Sequence, residues 1–185
     1  MKSFRVNTLL PLIFVLSIFP LNSFAIDLTL NNVPAKVFFS PNGGCTKAIV
    51  EEINKANSEI LIQAYSFTSA SIAKALVEKH KDGIRIEVIL DKSQRKEKYT
   101  NATFLSNNGI ATFIDDNHAI AHNKVMIIDK KTVITGSFNF TKTAEVNNAE
   151  NLLIIKSKNL SDIYIENWNL HKRHSEKYIR DTSLQ

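Results

Sequence analysis

Cysteine is nearly absent from this 185-residue sequence. Cys45 stands alone, so no disulfide can form within the chain and the core must hold the fold unaided. Cys45 follows Pro41-Asn42-Gly43-Gly44 and reads as a small residue at a helix start, not as a nucleophile. Low-complexity segments are missing, which excludes disordered and fibrous classes. No motif occurs twice, so any chemistry that needs two copies of a motif must borrow one from elsewhere. No apolar run is long enough for a membrane span of ~20 residues. Beyond residue 25 there is no obvious amphipathic membrane helix.

What remains is ordinary globular material, with 44% hydrophobic and 22% charged residues, enough for one domain with a sizeable core. Residues 1–25 differ in kind. Lys2 and Arg5 precede the apolar run Leu9 to Leu21, and Ser23-Phe24-Ala25 presents small residues at the two positions a signal peptidase reads. The expectation is a cleaved signal peptide and a mature domain over 26–185, exported to the periplasm or secreted. The mature charge is two units below the chain's +5, mildly basic, which suits a polyanionic partner.

Alternating and helical periodicities then divide the chain. Ala35 to Phe39 reads as a strand. A helix capped by Thr46 follows, to about Asn57. A buried strand starts at Ile60. A helix capped by Ser69 or Ser71 runs to about Lys81, and Ile84 to Leu90 alternates as a strand. That β-α-β-α-β order predicts a largely parallel sheet covered by helices. A further helix ends at Asn107-Asn108-Gly109. Strands are expected at Ala111 to Ile114, Lys124 to Ile128, Thr132 to Thr135 and Asn151 to Ile155. A last helix is expected from Leu160 to about Tyr178, with Ile163, Ile165, Trp168 and Leu170 inward.

The informative stretch is His122-Asn123-Lys124, then Asp129, then Gly136-Ser137-Phe138-Asn139. On a strand, residues two apart share a side, so His122 and Lys124 are expected to face one way. The turn at Asp129-Lys130-Lys131 returns the chain, bringing Gly136, Ser137 and Asn139 back near His122. This set suits a phosphodiester. Neutral imidazole can attack phosphorus. Lys124 offers a fixed positive charge, and Ser137 and Asn139 offer neutral donors to the same oxygens. No metal or cofactor is needed for that chemistry. His118 and His122, four apart, would make a metal pair on a helix, but a strand at His122 splays the two rings.

The pattern His122-x-Lys124-x₄-Asp129-x₆-Gly136-Ser137-x-Asn139 resembles the HxKxxxxD…GSxN signature of the phospholipase D superfamily, in particular its small, single-motif, exported bacterial endonucleases. The resemblance runs from about Ala35 to Trp168 and includes Phe39 to Gly44 and Ala149-Glu150-Asn151. It implies a one-domain α/β fold, a mixed and largely parallel sheet with helices on both faces. It implies that His122 is nucleophile or general acid/base, that Lys124 and Asn139 hold phosphate oxygens with help from Ser137, and that Glu150 orients the histidine. Asp129 is carried over as a signature residue that holds local structure more than it does chemistry. Family enzymes use two such motifs. With one per chain, a homodimer would complete the site.

The expected activity is non-specific hydrolysis of DNA, with RNA as a further substrate, through a phosphohistidine. The rivals are a lipid phosphodiesterase and a non-catalytic nucleic-acid binder. Lys92, Arg95, Lys96 and Lys98 read as a solvated face that is also a candidate phosphate contact, and His171, Lys172, Arg173 and His174 read as a solvated helix end before they read as phosphate contacts. Tyr65 and Phe67 are read as core before base-stacking residues.

Overall fold

A computed structural model describes residues 25–179; the leader expected over residues 1–25 lies almost wholly outside them. Eight strands form one sheet in the order β1-β7-β6-β5-β2-β3-β4-β8. The strands are β1 Ala35–Ser40, β2 Glu59–Ala64, β3 Arg85–Asp91, β4 Ala111–Asp115, β5 Lys124–Ile128, β6 Thr132–Gly136, β7 Glu150–Lys156 and β8 Glu176–Lys177. The helices are α1 Cys45–Asn54, α2 Ala70–Lys81, α3 Ala102–Asn107, α4 Lys142–Val146 and α5 Lys158–His174.

The mixed α/β architecture, with helices on both faces, is the expected one. The parallel share is smaller than expected, because only β2-β3 and β3-β4 pair in parallel. The helical crossovers impose that pairing, whereas the β5-β6 hairpin and the returning β7 impose antiparallel neighbours. β1 lies at the far edge against β7 instead of beside β2.

Alternation along the central strands sorts the core into two layers. Ile60, Ile62, Met126, Ile128, Ile134 and Ile154 face α1 and α2 with Ile49, Ile53 and Leu76. Leu61, Ile89, Val125 and Ile127 face α5, where Trp168 packs and donates its indole N–H to the Ile62 carbonyl at 3.1 Å.

Several helix ends differ from the sequence reading. Ser69 does cap α2, accepting from the Ile72 N–H. Thr46 does not cap α1. Gly44 holds that position with φ 81, and the α1 terminus is closed from afar by the Glu145 carboxylate, which accepts from the N–H groups of Gly44 at 2.9 Å and Thr46 at 2.6 Å. α5 ends at His174, not Tyr178, and its Leu170 is exposed. Tyr178 instead follows β8 and packs into the larger core layer.

Candidate active site

Strand register gathers the signature at one end of the sheet. β5 begins with Lys124 opposite Ala64, the last residue of β2. Val125 faces Thr135, which sets Gly136 across from Lys124. β6 ends there, beside Leu152 of β7. β7 begins with Glu150 opposite Ser40, the last residue of β1. His122, Lys124, Gly136, Ser137, Asn139 and Glu150 therefore cluster around five strand termini.

His122 precedes β5 and is exposed, so it does not share a strand face with Lys124 as expected. Its ring meets Tyr65 edge-on with centroids 4.6 Å apart, and the Tyr65 N–H donates to the Asn123 carbonyl at 2.8 Å. Tyr65 thus belongs to the site, whereas Phe67 is fully buried core. Lys124 is 7% exposed. Its Nζ donates to the His122 carbonyl at 3.0 Å and lies 5.1 Å from the Tyr65 ring centre. Burial pushes the Lys124 pKa below the usual lysine range, opposed by the nearby Glu150 carboxylate. No carboxylate among the described residues pairs with it directly. A buried cation without a counter-ion is costly, and a phosphate oxygen would supply one.

Gly136 has φ 148, and a Cβ there would stand 2.3 Å from the Asn151 carbonyl oxygen. Only glycine lets β6 and β7 close at this point. Beside it, Ser137 Oγ accepts from Asn151 N at 3.1 Å and Asn151 Nδ2 at 3.3 Å, which leaves the hydroxyl proton free to donate outward. Asn139 Oδ1 is shielded from water and lacks a hydrogen-bond partner. Glu150 Oε1 accepts from Asn148 Nδ2 at 3.1 Å. Within one chain it is not hydrogen-bonded to His122 among the described residues. Cys45 is inert: burial, with the Glu145 carboxylate, pushes its thiol pKa up to about 11.

Asp129 lies elsewhere, at the opposite end of β5 and some seven residues along the chain from His122. Its carboxylate accepts from the N–H groups of Asn57 (2.9 Å), Ser58 (2.8 Å) and Glu59 (3.1 Å) and from Ser58 Oγ (2.8 Å). It ties the hairpin turn to the start of β2 and touches none of the reacting groups.

The Lys92–Arg95 turn follows β3 at the same sheet end as His122. Lys92, Lys96 and Lys98 are exposed. Arg95 is engaged by Glu176 at 3.0 Å. At the end of α5, Lys172 is bound to Glu87 and lies 3.5 Å from the Phe113 ring centre, so it is not a free phosphate contact. His171 and His174 turn inward onto Asp115, together with His118. Pairing His118 with His122 misses this set, because its members come from two distant stretches of the sequence, 115–118 and 171–174.

The chain matches the family described as "Cardiolipin synthase, PLD-like domain" over residues 49–171. It is 42% identical over 156 residues to "Phospholipase D" of Rickettsia prowazekii, covering 84% of this chain and 75% of that protein. A "Phospholipase D" of Rickettsia conorii is 45% identical over 130 residues, with 65% of its length covered. Among solved structures, the phospholipase D family member Nuc from Salmonella typhimurium superposes with a TM-score of 0.76 at 35% identity, covering 79% of this chain and 98% of that one. NucT from Helicobacter pylori shares the fold, with a TM-score of 0.74 at 23% identity. A glycine-closed strand pair beside an exposed imidazole and a buried, unpaired lysine, in a chain with these relatives, makes this protein a phosphodiesterase of the phospholipase D superfamily.

Proposed function

We propose that this phosphodiesterase is an exported endonuclease that cuts DNA, and also RNA, with little base preference. The observation that carries the reading is the buried, unpaired Lys124 beneath an exposed His122. The same sheet end presents Lys92, Lys96 and Lys98 and the 70%-exposed Tyr99 to solvent. A polyanion can lie across such an open cationic edge through its phosphates, with no base-reading element needed. The 35% identity to Nuc over nearly all of that chain points the same way.

His122 attacks phosphorus through a ring nitrogen. A P–N bond forms, the bond to the leaving alcohol breaks, and that alcohol takes its proton from a second imidazolium. Water then attacks phosphorus, the second imidazole accepts its proton, and the P–N bond breaks. Lys124, Ser137 and Asn139 neutralise the non-bridging oxygens, so the step needs no metal. The second imidazole is His122 of another copy of the chain, related by a twofold axis. Exposed Val37 and Phe39 on β1, next to the catalytic end, give such a dimer an apolar seam. Glu150 orients a histidine in the assembled site.

Nicking of plasmid DNA by the mature protein, without added metal and in EDTA, tests this reading. Wild type is expected to cut and His122→Ala not to. Loss of cleavage that Mg²⁺ restores would overturn the metal-free step. The active species should sediment as a dimer, and full specific activity in a stable monomer would refute the shared site. A second reading, lipid phosphodiester hydrolysis, is favoured by the likeness to the Rickettsia proteins called phospholipase D. Phosphatidylcholine turnover exceeding DNA cleavage by the same preparation would select it.

A further inference from the structure

Off the signature, the fold assembles three imidazoles around one carboxylate. Asp115 ends β4 and is fully buried. His118 comes from the loop after it, and His171 and His174 stand three apart on one side of the last turn of α5. His171 Nδ1 lies 2.6 Å and His118 Nδ1 3.2 Å from Asp115 Oδ2, and His174 Nε2 lies 3.3 Å from Oδ1. One ligand atom from each of the four residues lies within 4.8 Å of all the others. A tetrahedral zinc site with bonds of ~2.0–2.1 Å spaces its ligand atoms about 3.3 Å apart, so only small side-chain shifts separate this set from coordination.

Hydrogen bonding alone serves the cluster poorly. The ring centroids are 4.9, 5.1 and 5.4 Å apart, so protonating all three rings would pack like charges together. Among the described residues His174 Nε2 is shut off from water and, although 3.3 Å from Asp115 Oδ1, is not aligned for a good hydrogen bond. A divalent cation would satisfy that nitrogen, its two neighbours and the buried carboxylate at once. Three imidazoles and one carboxylate select a borderline ion, zinc, over magnesium or calcium, which prefer oxygen ligands.

We propose that Asp115, His118, His171 and His174 form a structural zinc site. Four protein ligands fill the tetrahedron and leave no open position for catalysis. The site locks the end of α5 to the loop that runs from β4 into His122. The same loop is pinned by Lys92 Nζ donating to the His118 carbonyl at 2.8 Å and by the Ala121 N–H donating to Asp91 Oδ2 at 2.7 Å. Zinc therefore steadies the approach to the catalytic histidine without touching substrate.

Elemental analysis of the full mature protein, equilibrated with zinc and desalted, is expected to give one zinc per chain. The His171→Gln/His174→Gln variant should keep less than a tenth of that. Equal zinc in both would overturn the assignment. Should the double variant not fold, metal-free wild type titrated with Co²⁺ decides alone. The intense visible bands of tetrahedral cobalt should saturate at one ion per chain, and zinc should raise the melting temperature by more than about 5 °C. Absence of saturable binding would end the proposal. None of these readouts depends on which phosphodiester is cut.

Discussion

The two ends of β5 carry two halves of one signature and are built on opposite terms. At the Asp129 end every carboxylate oxygen is used, and the neighbouring Glu59 is paired with Arg85 at 2.7 Å. At the Lys124 end polar groups are left wanting. Among the described residues Lys124 is buried without a counter-ion, and Asn139 Oδ1 and both amide atoms of Gln63 have no partner. Orphaned buried polar groups are rare in folded proteins and cost about 1–3 kcal/mol each. Stability is gained at one end and given up at the other, where the missing partner of the Lys124 ammonium is a substrate anion. Substitutions at the two ends should therefore fail in different ways.

The largest effect belongs to His122. Exposed, with Tyr65 as its ring contact, it contributes little to the fold. His122→Ala removes nucleophile and proton-transfer group together and should lower the cleavage rate by about 10⁴–10⁶-fold, while leaving stability within about 0.5 kcal/mol of wild type, read from denaturant unfolding. A comparable loss of stability would mean that the site end is structural after all. Next come the oxyanion groups. Lys124→Met and Asn139→Ala should each cost about 10²–10³ in kcat. Lys124→Met should also hold or raise stability, because it removes a buried unpaired charge while keeping an apolar side chain of similar length. Stability that falls with activity at Lys124 would erase the contrast between the ends.

How legible these ends were in the sequence follows from how local their determinants are. Alternating runs such as Ile84 to Leu90 and the turn at Asp129 to Lys131 marked strands and hairpin correctly, since period and turn chemistry are written in neighbouring residues. The hairpin alone then predicts that Gly136 returns to Lys124, as the register shows. What stayed hidden rests on contacts distant in sequence. Glu145 on the short helix α4 closes α1 a hundred residues away, and a glycine at the helix start gives no hint of it. His171 and His174 read as a solvated helix end because Asp115 lies fifty-six residues upstream of His171. β1 was expected inside a parallel unit. Its pairing with β7 is chosen by the edge left open after the hairpin, which no local pattern encodes.

Asp129→Asn probes the satisfied end. Asp129 and Lys130 have φ 52 and 54, a left-handed turn that asparagine also accepts, so the substitution removes charge without straining the backbone. An amide turned toward three N–H donors satisfies them less well, and a loss of about 1–3 kcal/mol is expected, with the cleavage rate unchanged. Burial alone would raise this carboxyl's pKa, but the Ser58 hydroxyl and the N–H groups of Asn57, Glu59 and Ser58 hold it below the usual range. A depressed folded-state pKa means the stabilisation is complete above the ordinary value of ~3.9 and fades as pH falls through the lower folded value. The wild-type advantage over Asn should therefore close in acid, as followed by urea unfolding at stepped pH. An advantage that persists there would place the contribution in something other than the charge.

The smallest effect joins the unsatisfied groups to one another. Burial lowers the Lys124 pKa, and the Glu150 carboxylate partly restores it. Rate should fall on the alkaline side as Lys124 loses its proton, earlier than for an exposed lysine, because the neutral amine no longer stabilises an oxyanion. Glu150→Gln removes the restoring charge while keeping the shape that accepts from Asn148. The alkaline limb of kcat should then move to lower pH, while Lys124→Arg should abolish the limb within the accessible range, since guanidinium keeps its charge there. An alkaline limb that stays in place in Glu150→Gln would show that the carboxylate acts on His122 alone and that Lys124 titrates independently of it.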